Sequence, residues 1–399
     1  MADLSRAGFG TRASAAASTP PEVREVATSV PIYQAAAFAA DDADDLAAIL
    51  AGRAPGYAYA RIANPTADAL GRAYAELAGG AAGAAFGSGM AAIHAALLSL
   101  VSAGDRIVAT RAVYGSTRAL LDGLLTRLGV ATVYVDPTDP DAVRAALAPG
   151  ARGLYLETIS NPTLVVADLP LLAELGQAAG ATVVVDATFA SPWVARPLEQ
   201  GADLVVESAT KWLSGHSDVV AGVVAGDAGR LAAIGRVATD TGGIVAPFSA
   251  FLVLRGLQTL HVRMAAHAAR ARLLADVLAD APGVVRVTYP GSADHPQAAV
   301  AARLLHTGGG MLTVELPSRA QAAAFIDALT IPPRTASLGS VHTLAVHPPS
   351  HTHRQLDAAE LARAGIAPGL VRISVGLEEP EDLVADLQAA LAVAAATPG

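Results

Sequence analysis

Residues 203–216 read DLVVESATKWLSGH, and this stretch decides the fold class. The apolar run at 203–207 predicts a strand that is buried on both faces of a sheet. Lys211 follows that strand directly and is the only lysine in the chain. Arginine stays protonated, whereas a desolvated lysine amine can lose its proton and attack a carbonyl. The stretch therefore predicts a Schiff-base lysine beyond the carboxyl end of a strand, where α/β sheets bind ligands. A biased composition that spared one lysine is the alternative.

Similar apolar runs on both sides of this stretch extend the predicted sheet. They are rich in Val, Leu and Ile, alternate with helical segments, and lie at 106–110, 131–135, 153–157, 182–186 and 219–225. Near-continuous apolar strands that alternate with helices are typical of a mostly parallel sheet covered on both faces. The sequence therefore predicts an α/β fold.

The chain divides into three predicted parts. Residues 1–60 show weak periodicity and predict an arm that packs on something larger, whereas residues 61–250 contain the predicted sheet. Residues 251–399 predict a smaller α+β domain with strands at 284–289, 311–316 and 370–375 and a final helix at 382–394. The segment 247–278 is expected to join the two domains as one long helix or a broken pair.

Composition excludes several classes of protein. The chain has 399 residues and a net charge of −9, and it lacks an Arg-rich block interleaved with aromatic residues, so no nucleic-acid surface is expected. No run reaches the roughly 18 apolar residues that a membrane span requires. The chain has no cysteine, which excludes disulfides and thiolate metal sites. The first twenty residues lack the apolar core of a secretion signal, so a cytoplasmic protein is expected.

Two further features fit the same ligand as Lys211. The strand at 182–186 ends on Asp186, a carboxylate that is costly to bury without a partner. The turn Gly87-Ser88-Gly89 precedes a predicted helix at 90–100, whose free N–H groups suit a phosphate. An amine, a strand-end carboxylate and a phosphate cup match the aldehyde, ring nitrogen and phosphate of pyridoxal phosphate. Taken singly, Asp186 could be a helix cap, and Gly-Ser-Gly turns are common.

The segment 203–216 resembles the pyridoxal-phosphate attachment signature of the Cys/Met metabolism family, which includes methionine γ-lyase, cystathionine γ-lyase and cystathionine γ-synthase. The other motifs of that family follow in order along nearly the whole chain: Tyr57 to Thr66, Gly87 to Met90, Val113-Tyr114-Gly115, Glu157 to Thr163, Asp186-Ala-Thr, Ser337-Leu-Gly, His347-Pro and Arg372-Ile-Ser-Val-Gly. The chain is most similar to the methionine γ-lyases of this family.

The resemblance implies a type I, aspartate-aminotransferase-like fold and a homotetramer built as a dimer of dimers. It also implies residue roles. Lys211 carries the cofactor and then moves protons on the substrate, Asp186 holds the ring nitrogen protonated, and Tyr114 stacks on the ring and acts as a general acid. The phosphate is bound by the turn at Ser88, Gly89 and Met90 with Ser208 and Thr210, and by Tyr59 and Arg61 of the neighbouring subunit, to which the arm contributes. Arg372 binds the substrate α-carboxylate with the help of Ser337 and Asn161.

The substrate is less specified than the cofactor. Ala336 stands where family members that use cystathionine carry a glutamate, so an apolar distal end, as in methionine, is favoured. Ser116 and Thr239 stand where methionine γ-lyases carry Cys and Lys, which argues against strict methionine specificity. We therefore expect α,γ-elimination of a sulfur amino acid, most simply L-methionine to 2-oxobutanoate, ammonia and methanethiol. The alternative is γ-replacement on an O-acylhomoserine.

Three other readings are disfavoured. A catalytically silent homologue would have no need to retain a lone lysine together with Asp186, Tyr114 and Arg372. The histidines at 347, 351 and 353 lie close in sequence, but no carboxylate or cysteine is near them and no predicted helix supports a metal-binding i, i+4 pair, so no metal is expected. No Gly-x-Gly-x-x-Gly fingerprint is present, which disfavours a nicotinamide dehydrogenase.

Overall fold

The computed structural model describes residues 26–398 together with positions 8 and 11. The chain divides into two compact units, Met1–Pro31 and Ile32–Gly399. Much of the predicted arm, residues 1–7, 9–10 and 12–25, lies outside the described residues. The division into domains at residues 60 and 250 stays a prediction.

Two sheets organise the second unit. The larger has the strand order β1-β7-β6-β5-β4-β2-β3 and the smaller the order β10-β11-β9-β8. The strands of the larger sheet are β1 (Ala82–Phe86), β2 (Arg106–Thr110), β3 (Ala131–Val135), β4 (Gly153–Glu157), β5 (Thr182–Asp186), β6 (Leu204–Glu207) and β7 (Gly222–Gly226). Those of the smaller are β8 (Arg286–Thr288), β9 (Met311–Glu315), β10 (Leu344–Val346) and β11 (Leu370–Ser374).

Helices surround both sheets. The α-helices are Ala43–Leu50, Pro65–Ala78, Gly89–Leu98, Gly115–Ala119, Pro140–Leu147, Leu169–Ala178, Ser191–Val194, Ala228–Thr241, Pro247–Leu257, Leu260–Ala279, Ala298–Leu304, Arg319–Ala328, Ala358–Arg363 and Pro380–Ala395, with a π-helical turn at Leu120–Leu125 and a 3-10 turn at Pro197–Gln200. None of the helices in the described part of the chain is long and apolar enough to cross a membrane.

The larger sheet is mostly parallel, as predicted. Strands β3, β2, β4, β5 and β6 pair in parallel, whereas β7 is antiparallel to both β6 and β1. The expectation that the run at 219–225 joins the parallel set was wrong in direction. Parallel neighbours need a crossover of a dozen or more residues, usually a helix, but the segment between β6 and β7 is the Lys211 loop, which contains no helix. The chain therefore turns back.

Alternation along the strands explains why helices cover both faces. Val184 packs in one core with the helix Gly89–Leu98, whereas its neighbours Val183 and Val185 pack in another with the helices Pro140–Leu147 and Leu169–Ala178. Because successive strand residues point to opposite faces, a run of valines buries both. The near-continuous apolar pattern thus has the predicted physical cause.

The smaller sheet turns one face toward the larger domain. Leu312, Val371 and Ile373 pack under the helices of the C-terminal part, so the residue between the last two, Arg372, points from the other face. The segment 247–278 is a broken pair of helices, Pro247–Leu257 and Leu260–Ala279. The second helix packs Met264 in one hydrophobic core and Leu274 in another, so it contributes to both cores.

Candidate active site

A cavity of about 330 Å³ opens at the carboxyl ends of β4, β5 and β6, and its lining includes most of the predicted site residues. The members that the sequence predicted are Ser88, Gly89, Met90, Tyr114, Asn161, Asp186, Ser208, Thr210, Lys211, Ala336, Ser337 and Arg372. Parallel strands end at the same edge of a sheet, and ligands bind there in α/β folds. The structure therefore brings together residues that are up to 284 positions apart in sequence (372 − 88).

Lys211 lies at the centre of this cavity. Its Nζ donates a 2.8 Å hydrogen bond to Ser337 Oγ, which belongs to the loop before β10. Burial, and then the positive charge of Arg372, lower the pKa of Lys211 to about 8. Desolvation disfavours the ammonium form, so the neutral, nucleophilic amine is more populated near neutral pH than in an ordinary lysine.

Asp186 is a buried carboxyl group that accepts hydrogen bonds from two donors. Tyr155 Oη donates to Oδ2 at 3.1 Å and the Thr188 amide donates to Oδ1 at 2.9 Å. Burial raises the pKa of Asp186, while the hydrogen bonds from Thr188 and Tyr155 oppose that shift. A buried carboxylate of this kind suits a protonated ring nitrogen, which would supply the missing positive charge.

The start of the helix Gly89–Leu98 forms one end of the cavity. Ser88 Oγ caps the helix by accepting from the Ala91 amide at 3.0 Å. The first amides of a helix have no intrahelical acceptor, so those of Gly89 and Met90 remain available for an anion. A Cβ atom at Gly89 would lie 2.7 Å from the Ser208 Cβ, so only glycine lets the helix end approach this close to the β6 loop. The cradle fits a phosphate.

The hydroxyl groups of the predicted phosphate site are not equivalent. Ser208 lines the cavity. Thr210 Oγ1 instead donates to the Ala221 carbonyl at 3.2 Å and accepts from the Ala221 amide at 3.0 Å. In this structure the Thr210 hydroxyl therefore holds the loop that leads to β7.

Arg372 closes the opposite end of the cavity. It is 2% exposed, and it donates to Asn161 Oδ1 and to the Ser337 carbonyl, both at 2.9 Å. Its Nε has no hydrogen-bond partner in the described part of the chain. An unpartnered donor on a buried guanidinium is costly, and a ligand carboxylate would satisfy it.

Three predicted residues lie outside this cavity. Tyr59 and Arg61 are exposed, and Arg61 Nη1 donates to the Thr239 carbonyl at 2.7 Å within the same chain. Ser116 lines a second cavity of about 690 Å³, which shares Tyr114, Ala336 and Thr352 with the first. Substrate atoms beyond Ala336 would therefore enter this second space.

The histidine cluster has other partners. His347 bonds through its two ring nitrogens to Ser350 Oγ and the Pro368 carbonyl, each at 2.7 Å. Within the described ranges, no three His, Cys, Asp or Glu side chains converge on a metal-sized site.

Sequence reasoning assigned no role to Glu157, although it ends a strand as Asp186 does. Glu157 and Asp186 are paired across β4 and β5, and both line the cavity. Burial, and then the charge of Asp186, raise the pKa of Glu157 well above its usual value. The strand-end rule that found Asp186 would also have found Glu157.

Comparison with known proteins agrees with this site. L-methionine γ-lyase of Pseudomonas putida is 42% identical over 97% of this chain and 98% of its own length. Cystathionine γ-lyase of Bacillus subtilis is 40% identical over 92% of this chain and 94% of its own length. The crystal structure of cystathionine γ-synthase from Xanthomonas oryzae pv. oryzae, in complex with aminoacrylate and cysteine, superposes with a TM-score of 0.88 at 40% identity and covers 93% of this chain and 95% of that one. The expected type I fold is thereby confirmed.

Residues 11–392 match the family described as Cys/Met metabolism PLP-dependent enzyme. The cofactor expected from the amine, the carboxylate and the helix end is therefore confirmed as pyridoxal phosphate. At about 40% identity to both lyases and a synthase, the shared chemistry is elimination or replacement at the γ-carbon of an amino acid. The cavity between the two sheets thus belongs to a chain that is a member of the Cys/Met metabolism family of pyridoxal-phosphate-dependent enzymes.

Proposed function

We propose that the protein catalyses the α,γ-elimination of a thioether amino acid, most simply L-methionine with water to 2-oxobutanoate, ammonia and methanethiol. The observation that carries this proposal is the uncharged wall at Ala336, which lies next to the Lys211–Ser337 pair. An apolar distal group needs no counter-charge there. The 42% identity to a methionine γ-lyase supports the same choice.

The bound cofactor supplies an electron sink, and the side chains of the chain supply positioning and proton transfer. Arg372 binds the α-carboxylate through its planar guanidinium and turns the Cα–H bond toward Lys211. The neutral amine of Lys211 takes the proton from Cα and delivers or removes protons at the neighbouring carbon. Tyr114, 37% exposed and on the cavity wall, donates its hydroxyl proton to the departing sulfur.

We propose that residues lining the cavity bind the cofactor. Gly89 and Met90 amides with Ser208 bind the phosphate, Asp186 pairs with the ring nitrogen, and Lys211 provides the covalent attachment. The Thr210 hydroxyl is expected to bind the phosphate as well, once the phosphate displaces its hydrogen bonds to the Ala221 backbone.

We further propose that each site is completed by a second copy of the chain in a homotetramer built from dimers. Among the described residues of one chain, Arg372 is the arginine that lines the cavity, and it is bound to Asn161 and Ser337 and assigned to the substrate carboxylate rather than to the phosphate. A dianionic phosphate needs such a charge, and Tyr59 and Arg61 are exposed and available to a neighbour. Co-purified mixtures of Lys211→Ala and Arg61→Ala chains should regain activity that neither variant has alone. Activity no higher than that of the single variants would refute the shared site.

A second candidate function is γ-replacement on an O-acylhomoserine, and the larger cavity favours it. That cavity has room for a second reactant, and its lining includes Arg319, Arg334 and Arg354 with a single acidic residue, Asp327. An excess of guanidinium groups suits an acyl group or incoming thiol that carries a carboxylate.

An assay of 2-oxo acid release separates the two candidates. The purified, cofactor-loaded protein would be given L-methionine, L-homocysteine, L-cystathionine and O-acetyl- and O-succinyl-L-homoserine, with and without added thiol. Oxo acid from methionine without thiol supports elimination. If only the esters react, and added thiol turns their product into a thioether, then the protein is a γ-replacement enzyme and the proposed elimination is wrong.

A further inference from the structure

Glu157 connects the two sides of the cavity through backbone hydrogen bonds. It is 6% exposed, and its Oε1 accepts from the Tyr114 amide at 2.7 Å, while its Oε2 accepts from the Asn161 amide at 2.8 Å. The two donors belong to separate loops, one after β2 and one after β4. A single buried carboxylate therefore fixes the positions of both loops relative to one strand end.

The second of these loops holds the arginine that faces the substrate. Asn161 Oδ1 accepts from Arg372 Nη1 at 2.9 Å, so the order of contacts is Glu157, Asn161, Arg372. Displacing the Asn161 backbone by a few tenths of an ångström would turn the guanidinium, and bidentate carboxylate binding depends on that orientation.

The geometry points to Glu157 as a positioning residue that sets Arg372, through Asn161, for an α-carboxylate. This inference rests on the proposed function for the identity of the ligand, an α-amino acid. Glu157 would act on the substrate indirectly. Its oxygens accept from the amides of Tyr114 and Asn161, and Asn161 in turn contacts Arg372.

The chain offers a matched control in Glu207, another buried carboxyl at a strand end. Tyr74 Oη donates to its Oε1 at 3.0 Å, and burial raises the pKa of Glu207 as it does that of Glu157. Glu207 does not line the cavity and bonds to neither of the two loops. Its replacement tests the loss of a buried carboxylate without touching Arg372.

The test compares two unreactive ligands on cofactor-loaded protein, L-norleucine and pentylamine, which differ only in the α-carboxylate. Binding is followed by the change in cofactor absorption and does not depend on turnover. Glu157→Gln should weaken the binding of norleucine at least tenfold and that of pentylamine less than threefold. The reason is that one of the two backbone amides then faces the NH₂ group of the glutamine. Glu207→Gln should leave the ratio of the two affinities unchanged.

An unchanged ratio of the two affinities in Glu157→Gln, whether both ligands weaken equally or neither weakens, would overturn the inference. If that variant fails to fold, Glu157→Asp keeps the carboxyl group but is one methylene too short to reach both amides, and it should lower the ratio by an intermediate factor. An unchanged ratio in Glu157→Asp would equally contradict the inference. Absence of oxo acid from every substrate would remove the proposed reaction but would leave this comparison of affinities readable.

Discussion

The Arg263 guanidinium donates a 2.7 Å hydrogen bond to the carbonyl of Trp212, the residue that follows Lys211. It also donates to the carbonyls of Leu213 at 3.3 Å and Gly256 at 2.7 Å, and it is 5% exposed. Arg263 belongs to the helix that joins the two cores. The same guanidinium therefore donates to two carbonyls of the Lys211 loop and holds that loop against the helix Leu260–Ala279.

Removing this cation should destabilise the protein. Arg263→Ala leaves buried carbonyl groups without a donor, and each such group costs about 1–3 kcal/mol. We expect the free energy of unfolding to fall by about 3 kcal/mol or more, measured by chemical denaturation. Arg144→Ala, which removes an exposed ion pair with Asp141, should change it by less than about 0.5 kcal/mol. Equal losses in the two variants would contradict a specific role of Arg263.

Much of the fold followed from strand periodicity, and the exceptions have physical causes. The strands at 106–110, 131–135, 153–157 and 182–186 were predicted with the observed bounds because each is a short, mainly apolar run between helical segments. Strand β1 was missed because its sequence, AGAAF, has no β-branched residue. It packs by close approach instead: a Cβ at Gly83 would lie 2.2 Å from the Gly71 carbonyl oxygen.

The candidate site was foreseeable where a side chain follows a strand and hidden where a contact joins elements that are distant in sequence. Lys211 follows β6, and Asp186 is the last residue of β5. Their order along the chain is therefore enough to find them. Arg263 carries no such mark, since its role depends on how the helix Leu260–Ala279 meets the Lys211 loop. Its acceptors are backbone carbonyls, which leave no pattern in a sequence.

The lowered pKa of Lys211 predicts how fast the apoprotein takes up its cofactor. The neutral amine is the nucleophile, so the rate of reaction with pyridoxal phosphate should rise with pH and level off above about 8. Arg372→Gln removes a like charge and should move the midpoint upward. Stopped-flow absorbance at a series of pH values measures both curves. A midpoint near 10.5, the ordinary lysine value, would contradict the effect of burial.

The charge of Lys211 alone should not sustain the reaction. Lys211→Arg keeps a cation in the cavity, but a guanidinium remains protonated and cannot take up an aldehyde. We expect no cofactor to stay attached after borohydride reduction, as measured by mass spectrometry, and no turnover. Near-normal turnover would refute the assignment.

Asp186 should control turnover more than binding of the amino acid. In Asp186→Asn the donors Tyr155 and Thr188 remain, but no negative charge faces the ring nitrogen. We expect kcat to fall by about a hundredfold or more, with a change in cofactor absorption. Tyr155→Phe removes one hydrogen bond and keeps the carboxylate, so its loss should be smaller. An Asn variant with the kcat of the parent protein would exclude this role.

Arg372 should instead control the Michaelis constant. Its guanidinium is held by Asn161 and Ser337, and burial lowers its pKa to about 10, so it stays cationic at neutral pH. Arg372→Lys keeps a charge but loses the planar fork that binds a carboxylate with two bonds. One lost bond to a charged group is worth about 1.5–3 kcal/mol, so KM should rise roughly tenfold to a hundredfold with a smaller change in kcat. Steady-state kinetics on the substrate found in the oxo acid assay measures both constants. An unchanged KM would mean that the carboxylate binds elsewhere, and the unpartnered Nε would then need another ligand.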